Sequence, residues 1–313
     1  MNIFIELPTW LGDTIMATPA IEGLLEKYPD AKLTLFGSSI SLEALKIHPN
    51  CEQIIYDDSK KSSVRIFRLY KIAKKLTQFD ISISFRSSVY SKIFLNLIKS
   101  KKSFSYNKKL YSGHQVEKYV SFISNSLDIK FMPKQLKLYQ KPYKFSDKTI
   151  GINPGATYGS AKRWYPKEFA KTASELSKKY GFKVIIFGGP NEIDMAREIE
   201  ENLDTKNYIN LAGKTTVSEL IEKIAGVDLF VTNDSGPMHI AAAYQIPTIA
   251  IFGPTNYKET SAWMNPKGIV LSKDLECSPC MKRVCPLKHH NCMRKITHKD
   301  VLAMIEYHQL LDR

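Results

Sequence analysis

The chain has 313 residues, 43% hydrophobic and 24% charged, a balance that suits a folded protein long enough for two cores and excludes a disordered or collagen-like chain. No apolar run approaches the roughly 20 residues of a helical membrane span. Forty-five Lys and Arg against 31 Asp and Glu give a net charge of +14, and charge alone does not choose between nucleic acid, an anionic membrane and a phosphorylated substrate.

The opening MNIFIELPTW enters a strand pattern directly, with no basic-then-apolar leader, so the expectation is a cytoplasmic protein. NIFIEL, KLTLFG, EQIIY and DISISF read as strands. Between and after them TIMATPAIEGLLEKY, SLEALKI, VRIFRLYKIAKKL, SKIFLNLI and HQVEKYVSFISNSL read as helices. After the polar stretch YQKPYKFSDK (139–148) the alternation restarts. TIGINPG, FKVIIFGG, NYINLAG, DLFVTND and TIAIFGP are strands, separated by PKEFAKTASELSKKY, EIDMAREIEENL, VSELIEKIAG and PMHIAAAY as helices. Two runs of β-α units imply an α/β protein of two Rossmann-like, doubly wound domains, 1–148 and 149–313, with a cleft between them. The last helix, in HKDVLAMIEYHQLLDR, is expected on either domain, packing back on the first being one option. Residues 1–149 hold 24 basic against 13 acidic residues (+11), and residues 150–313 hold 21 against 18 (+3). The excess gathers in runs such as KKSSVRIFRLYKIAKK (60–75) and KSKKSFSYNKK (99–109).

Chemistry-bearing residues cluster in loops at the carboxyl ends of strands, where ligands sit in open α/β sheets. In PTWLGDT (8–14), Gly12 allows a tight turn and Asp13 reads either as a helix cap or as a carboxylate that takes a proton from a nucleophile. NPGATYGSAKRWYP (153–166) resembles a phosphate loop only superficially, because the fifth place after Gly155 is Ser160 and Lys162 is followed by Arg163. Its backbone N–H groups, Thr157 and Lys162 together suit a phosphate. In VTNDSGPMHIAAAY, Asp234 or Ser235 is expected to cap the helix, with Pro237 at its first position and His239 in its first turn. The free N–H groups of that turn suit an anion. Glu192, in GGPNEID, suits ribose hydroxyls or simply the start of a helix.

PTWLGD, PGATYGSAKRW, FGGPNE, NLAGKTTVSELIEKIAGVDLFVTNDSGPMHIAAA and the following FGPT resemble, in order and across almost the whole chain, the ADP-heptose:lipopolysaccharide heptosyltransferase family. The P-T-W-x-G-D and A-K-R-W forms are more similar to its type II members than to type I. The resemblance implies a GT-B fold and an inverting, metal-independent transfer of L-glycero-D-manno-heptose from ADP-heptose to the first heptose of the inner core. It implies Asp13 as general base and Lys162 as the lysine on the phosphates. Glu192 would meet the ribose, Thr215 the adenosine, and Thr157 and the D-S-G-x-x-H residues Asp234, Ser235, Gly236 and His239 the rest of the donor. The implied acceptor is a phosphorylated or acidic lipid A-core molecule. Thr9, Trp10 and Gly12 face it, and Arg65, Arg68 and Arg86 are the candidate cations holding it. The basic first half would also rest on the anionic inner face of the inner membrane, as a peripheral attachment.

Cys277, Cys280, Cys285 and Cys292, spaced x2, x4 and x6 with His289 and His290 among them, start like a zinc knuckle but do not continue as a standard finger. Reduced thiols packed in a loop and a structural zinc both stay open, while disulfides are disfavoured in the cytoplasm. No cofactor is required for the implied chemistry. Alternatives are a transferase of the same family acting on Kdo-lipid A, and one using another sugar nucleotide. From another class, a zinc-containing nucleic-acid-binding protein should concentrate its charge around the cysteines; here the excess lies in the other half, and no nucleic-acid partner is expected.

Overall fold

The computed structural model describes residues 1–59 and 64–311, so Lys60 and Lys61 of the first basic run, and the last two residues, lie outside the described residues. The chain divides into two compact units, Met1–Tyr139 and Gln140–Arg313. The division falls earlier than the expected 148 because the intervening stretch already belongs to the second unit. Tyr143 N–H donates to Glu222 O (2.8 Å), and the Tyr244 hydroxyl donates to Gln140 O (2.7 Å).

The first unit runs β1 (Asn2–Glu6), α1 (Leu11–Met16), α2 (Thr18–Lys27), β2 (Lys32–Gly37), α3 (Ser39–Leu45), β3 (Cys51–Tyr56), α4 (Arg65–Lys74), β4 (Phe79–Ser84), α5 (Val89–Leu97), β5 (Ser100–Ser105) and α6 (Gln115–Leu127). Its sheet is parallel in the order β3-β2-β1-β4-β5. β1 shows why the sheet is internal: Ile3, Phe4 and Ile5 are fully buried, the near-continuous apolar run of a strand covered on both faces. The stretch expected as one helix over TIMATPAIEGLLEKY is two, broken at Ala17, because Pro19 suits only the first turn of α2. β5 falls in the lysine run KSKKSFS, with no apolar run to signal it. It is an edge strand, where lysines face solvent and discourage further pairing.

The second unit runs β6 (Thr149–Asn153), α7 (Pro166–Tyr180), β7 (Lys183–Ile186), α8 (Ile193–Asn202), β8 (Tyr208–Asn210), α9 (Val217–Ala225), β9 (Leu229–Asn233), α10 (Gly236–Ala243), β10 (Thr248–Ile251), α11 (Tyr257–Thr260), β11 (Gly268–Leu271), α12 (Asn291–Arg294) and α13 (His298–Tyr307). Its sheet is parallel in the order β11-β10-β9-β6-β7-β8. β11, four residues long, was not legible as a strand. The core gathers Ile150, Ile152, Trp164, Phe169, Val231 and Ile249 with Val301 and Ile305 of α13. The last helix therefore packs in the second unit, where Lys179 of α7 pairs with Glu306 (2.6 Å) and Glu168 accepts from the His298 backbone N–H (2.7 Å).

In each parallel sheet the order of the strands reverses once, between β1 and β4 in the first unit and between β6 and β9 in the second. Within each unit taken by itself, the loops leaving its two strands lie at the carboxyl edge, the usual ligand position.

At the first reversal Arg86 is buried with Glu6 and Asp57. Its Nη1 stands 3.1 Å from Glu6 Oε1 and 2.8 Å from Asp57 Oδ2, while Nε donates to Leu7 O (2.7 Å). Burial pushes the Glu6 carboxyl above its ordinary value despite Arg86. Burial would raise Asp57 too, but bonds from Ser59 and Arg86 hold it below. Arg86→Ala leaves two buried carboxylates without a cation, so the folded unit should lose about 3–5 kcal/mol at neutral pH. Asp57's contribution is present above its unfolded-state value and lost as pH falls through the lower folded value, whereas Glu6 favours acid. The penalty of the substitution should therefore shrink on acidification, which denaturant melts of wild type and variant at two pH values would measure.

Candidate functional site

At the reversal in the second unit, β6 and β9 are neighbours and both end in asparagine, Asn153 and Asn233, each almost fully buried. Asn233 Nδ2 donates to Pro154 O (2.7 Å), and its Oδ1 accepts from Trp164 N–H (3.0 Å). Asn153 Nδ2 donates to Gly155 O (3.2 Å) and lies 3.4 Å from Ser235 Oγ. The two amides thus fix both ends of the 154–164 loop to the strand ends. Trp164 anchors it further by donating its indole N–H to Ile296 O (2.9 Å). Neither asparagine was singled out from sequence; the signal was two strand patterns, GIN and VTN, with the same terminal residue.

Within that frame Lys162 forms an ion pair with Asp234, which also accepts from Thr255 Oγ1 (2.6 Å). Asp234, 4% exposed, stands one residue before the N-cap position, so it is not the helix cap that was one of the two expected from sequence. Ser235 holds the N-cap position of α10, but its side chain makes no capping bond either. The first backbone N–H groups of α10 therefore have no side-chain cap from Ser235, and the Lys162 ammonium stands beside them on Asp234. His239 is buried in the first turn of α10. Lys162 Nζ also lies 4.8 Å from the centre of the Tyr158 ring, and Thr157 beside it is exposed.

Glu192 lies in a 3-10 turn ahead of α8 and accepts from Gly189 N–H (2.5 Å). A Cβ at Gly155 would stand 2.2 Å from its carboxyl carbon, so glycine lets this carboxylate rest on the loop that carries Lys162. Thr215 is half-buried, next to Thr216, which caps α9 by accepting from Glu219 N–H (3.2 Å). Lys162, Asp234, Ser235 and Gly236 are brought together at the reversal; Glu192 reaches them through Gly155, and Thr215 stands apart on its own turn.

In the first unit, Trp10 is the N-cap of α1 and Asp13 the third residue of its first turn, so Asp13 is not the N-cap. Thr9 O accepts from Ser38 Oγ (3.1 Å), and Trp10 is half exposed. Tyr119 is buried and its phenol is pushed well above its ordinary value, first by burial and then by the charge of Asp13, which places the two side chains in each other's field. The three arginines converge on one loop, 57–59. Arg86 bonds Asp57, Arg68 pairs with Asp58, and Arg65 Nε donates to Ser59 Oγ (3.3 Å) while stacking 4.3 Å from the Tyr90 ring. Arg86 is thus directed inward, and Arg65 and Arg68 are the members nearer solvent.

The four cysteines carry free thiols, and Cys292 is the buried one. Burial, then the other three cysteines, push its thiol up to about 11, so the four lie within electrostatic reach. Even so, among the described residues no group of three or more His, Cys, Asp or Glu side chains is placed to hold a metal ion.

Two parallel, doubly wound units, with Lys162, Asp234 and the start of α10 gathered at the strand-order reversal of the second, place the chain in the Rossmann-like α/β class. Residues 97–291 match the model of glycosyltransferase family 9 (heptosyltransferase), and the chain belongs to that family. It is 44% identical to the lipooligosaccharide heptosyltransferase 2 of Campylobacter jejuni subsp. jejuni serotype O:2, over 96% of each chain. Among solved structures it superposes on the Escherichia coli ADP-heptose LPS heptosyltransferase II with a TM-score of 0.79 and 23% identity, over 99% of both chains. A family 9 glycosyl transferase from Veillonella parvula superposes with a TM-score of 0.85 and 23% identity, over 100% of this chain and 98% of that one. The likeness spans both units, as the GT-B fold class requires.

Asp234 and Lys162 are a buried pair, so removing one partner should be worse than removing both. Lys162→Met is expected to cost about 3–5 kcal/mol, with Lys162→Met/Asp234→Asn recovering most of that in thermal or denaturant melts.

Proposed function

We propose that this transferase moves L-glycero-D-manno-heptose from ADP-heptose to the first heptose of a lipopolysaccharide or lipooligosaccharide inner core, with inversion. The observation that carries the reading is Lys162, held by Asp234, whose carboxylate Thr255 supports, beside the start of α10 at the sheet reversal. The near full-length identity to a lipooligosaccharide heptosyltransferase 2 supports the choice of sugar and acceptor.

In this reading the second unit binds the donor. The diphosphate competes with Asp234 for the Lys162 ammonium and takes the N–H groups around Ser235 and Gly236, while Asp234 keeps Thr255. Glu192 and Thr215 serve the ribose and adenosine, and Thr157 the phosphate loop. The acceptor hydroxyl, positioned with Thr9, Trp10 and Gly12, attacks the anomeric carbon from the face opposite ADP. Its proton passes to Asp13, the bond from that carbon to the phosphate oxygen breaks, and ADP leaves with the electron pair. Lys162 and the backbone donors stabilise the charge that builds on ADP, a contribution commonly worth two to three decades in rate per donor. Zinc at the cysteines has no part in these steps.

The acceptor end is lipid-linked in this reading, and the exposed face of α4 suits such a surface. Ile66, Phe67 and Tyr70 are exposed there, with Lys71 4.5 Å from the Phe67 ring and Lys74 4.9 Å from the Tyr70 ring. Cations interleaved with aromatics fit an anionic headgroup layer, which would hold the enzyme peripherally on the cytoplasmic side. No described helix is long and apolar enough to cross a membrane.

Asp13→Asn should lower ADP release from ADP-heptose and a mono-heptosylated Kdo-lipid A acceptor by at least about a hundredfold, while the melting temperature holds. Undiminished turnover would remove Asp13 as the base, and turnover only with another sugar nucleotide or with unheptosylated Kdo-lipid A would move the substrate assignment. Phe67→Asp should reduce co-sedimentation with vesicles containing phosphatidylglycerol and leave turnover on a detergent-free truncated acceptor unchanged. Binding that is the same for wild type and variant, or insensitive to salt, would sink the α4 attachment.

A further inference from the structure

The segment 275–292, which carries the four cysteines, has no place in the proposed transfer, yet it is tied to both loops that frame Lys162. Ser278 Oγ donates to Gly253 O (2.5 Å) and Met281 N–H to Pro254 O (2.7 Å), next to the Thr255 that supports Asp234. Two residues further on, Arg283 O accepts from Ala161 N–H (3.0 Å), and the Tyr158 hydroxyl donates to Met281 O (2.8 Å). His290 Nε2 stands 2.8 Å from Ala161 O. The approach is close enough that a Cβ at Gly159 would lie 2.3 Å from Arg283 O. These contacts on residue 283 are made by its backbone, so they do not explain why its side chain is arginine.

That side chain lies over the Tyr158 ring, its guanidinium carbon 5.3 Å from the ring centre, and Lys162 Nζ is 4.8 Å from the centre of the same ring. Two cations therefore share one aromatic in the loop. Lys162 has Asp234 as its counter-ion, whereas among the described residues no carboxylate pairs with Arg283, which is exposed. The ring fixes the guanidinium without neutralising it. Such a group presents planar, bidentate donors suited to phosphate oxygens and gives the loop a net positive field.

We propose that Arg283 is a second cation for the donor's diphosphate, placed by the cysteine-bearing segment acting as a frame. The inference rests on the reading of the Lys162 loop as a nucleotide-diphosphate site. Lys162 neutralises the charge that builds in the transfer, and Arg283 adds capture of the diphosphate itself.

Calorimetric binding of ADP, AMP and adenosine to the full chain separates the possibilities. With Arg283→Ala, ADP affinity is expected to fall about tenfold or more, the size of one lost charge-assisted bond, AMP affinity less, and adenosine affinity not at all. Arg283→Lys should recover part of the loss, and added salt should narrow the gap between wild type and alanine variant. Because the frame is held by the backbone of residue 283, the alanine variant should keep the wild-type melting temperature. Equal losses for all three ligands would mean that the side chain only shapes the loop, and would overturn the proposal. Unchanged ADP affinity in a variant of a wild type that binds ADP would overturn it alone. A wild type that binds no ADP would overturn the donor-site reading and this proposal together.

Discussion

The second unit is organised around one buried carboxylate. Asp234 closes β9, where the sheet reverses, and desolvation at 4% exposure obliges it to find partners. It takes Lys162 from the loop after β6 and Thr255 from the loop after β10. Those two bonds fold three loops toward one point. Asn153 and Asn233 bind the first of those loops from below, so the ammonium is placed by satisfied polar groups rather than by a flexible stem. Ser235, not Asp234, takes the N-cap position of α10, and its side chain makes no capping bond there.

Both sheet reversals hold a cation with carboxylates, yet the two sets differ in what they can do. Arg86 donates to Leu7 O and faces both Glu6 and Asp57, so the planar fork is engaged in several directions at once. Releasing it would strand two buried charges. Lys162 is a compact charge with one carboxylate partner, and that partner retains Thr255 when the lysine turns away. An exchangeable pair of this kind can transfer its cation to a phosphate; a guanidinium held in a network cannot do so without unfolding its surroundings. This contrast, not proximity to a strand end, marks Arg86 as part of the frame of the first unit.

The alternation of short apolar runs with helical periods made both doubly wound units legible, because buried parallel strands such as NIFIEL and DLFVTN read as continuous hydrophobic stretches. β5 was hidden for the converse reason: an edge strand with one solvated side can be lysine-rich, and its pairing with β4 is set by the sheet rather than by its own pattern. Asp13, Lys162 and Asp234 were visible as polar residues at strand ends, but their partners were not. Thr255 is 21 residues from Asp234, and Arg283 meets Tyr158 across more than a hundred residues of chain, distances at which periodicity carries no information. The cysteine spacing drew attention to a metal site and gave no sign that the segment's backbone braces two loops.

The surroundings of Asp13 bear on whether a carboxylate in a first helical turn can act as a base. A cation beside it would stabilise the ionised form and weaken its hold on a proton, and Arg86, the buried cation of this unit's crevice, is directed to Glu6 and Asp57 instead. The buried group in the field of Asp13 is the Tyr119 phenol, wedged among Phe85 and Tyr106 and kept protonated by burial and by Asp13 itself. A neutral phenol in an aromatic cluster perturbs a neighbouring carboxylate far less than an ammonium or guanidinium would. The same clustering supplies a rigid wall, since edge-to-face rings resist displacement. The first unit thus locks Arg86 to Glu6 and Asp57 and sets the Tyr119 phenol, packed against Phe85 and Tyr106, in the field of Asp13.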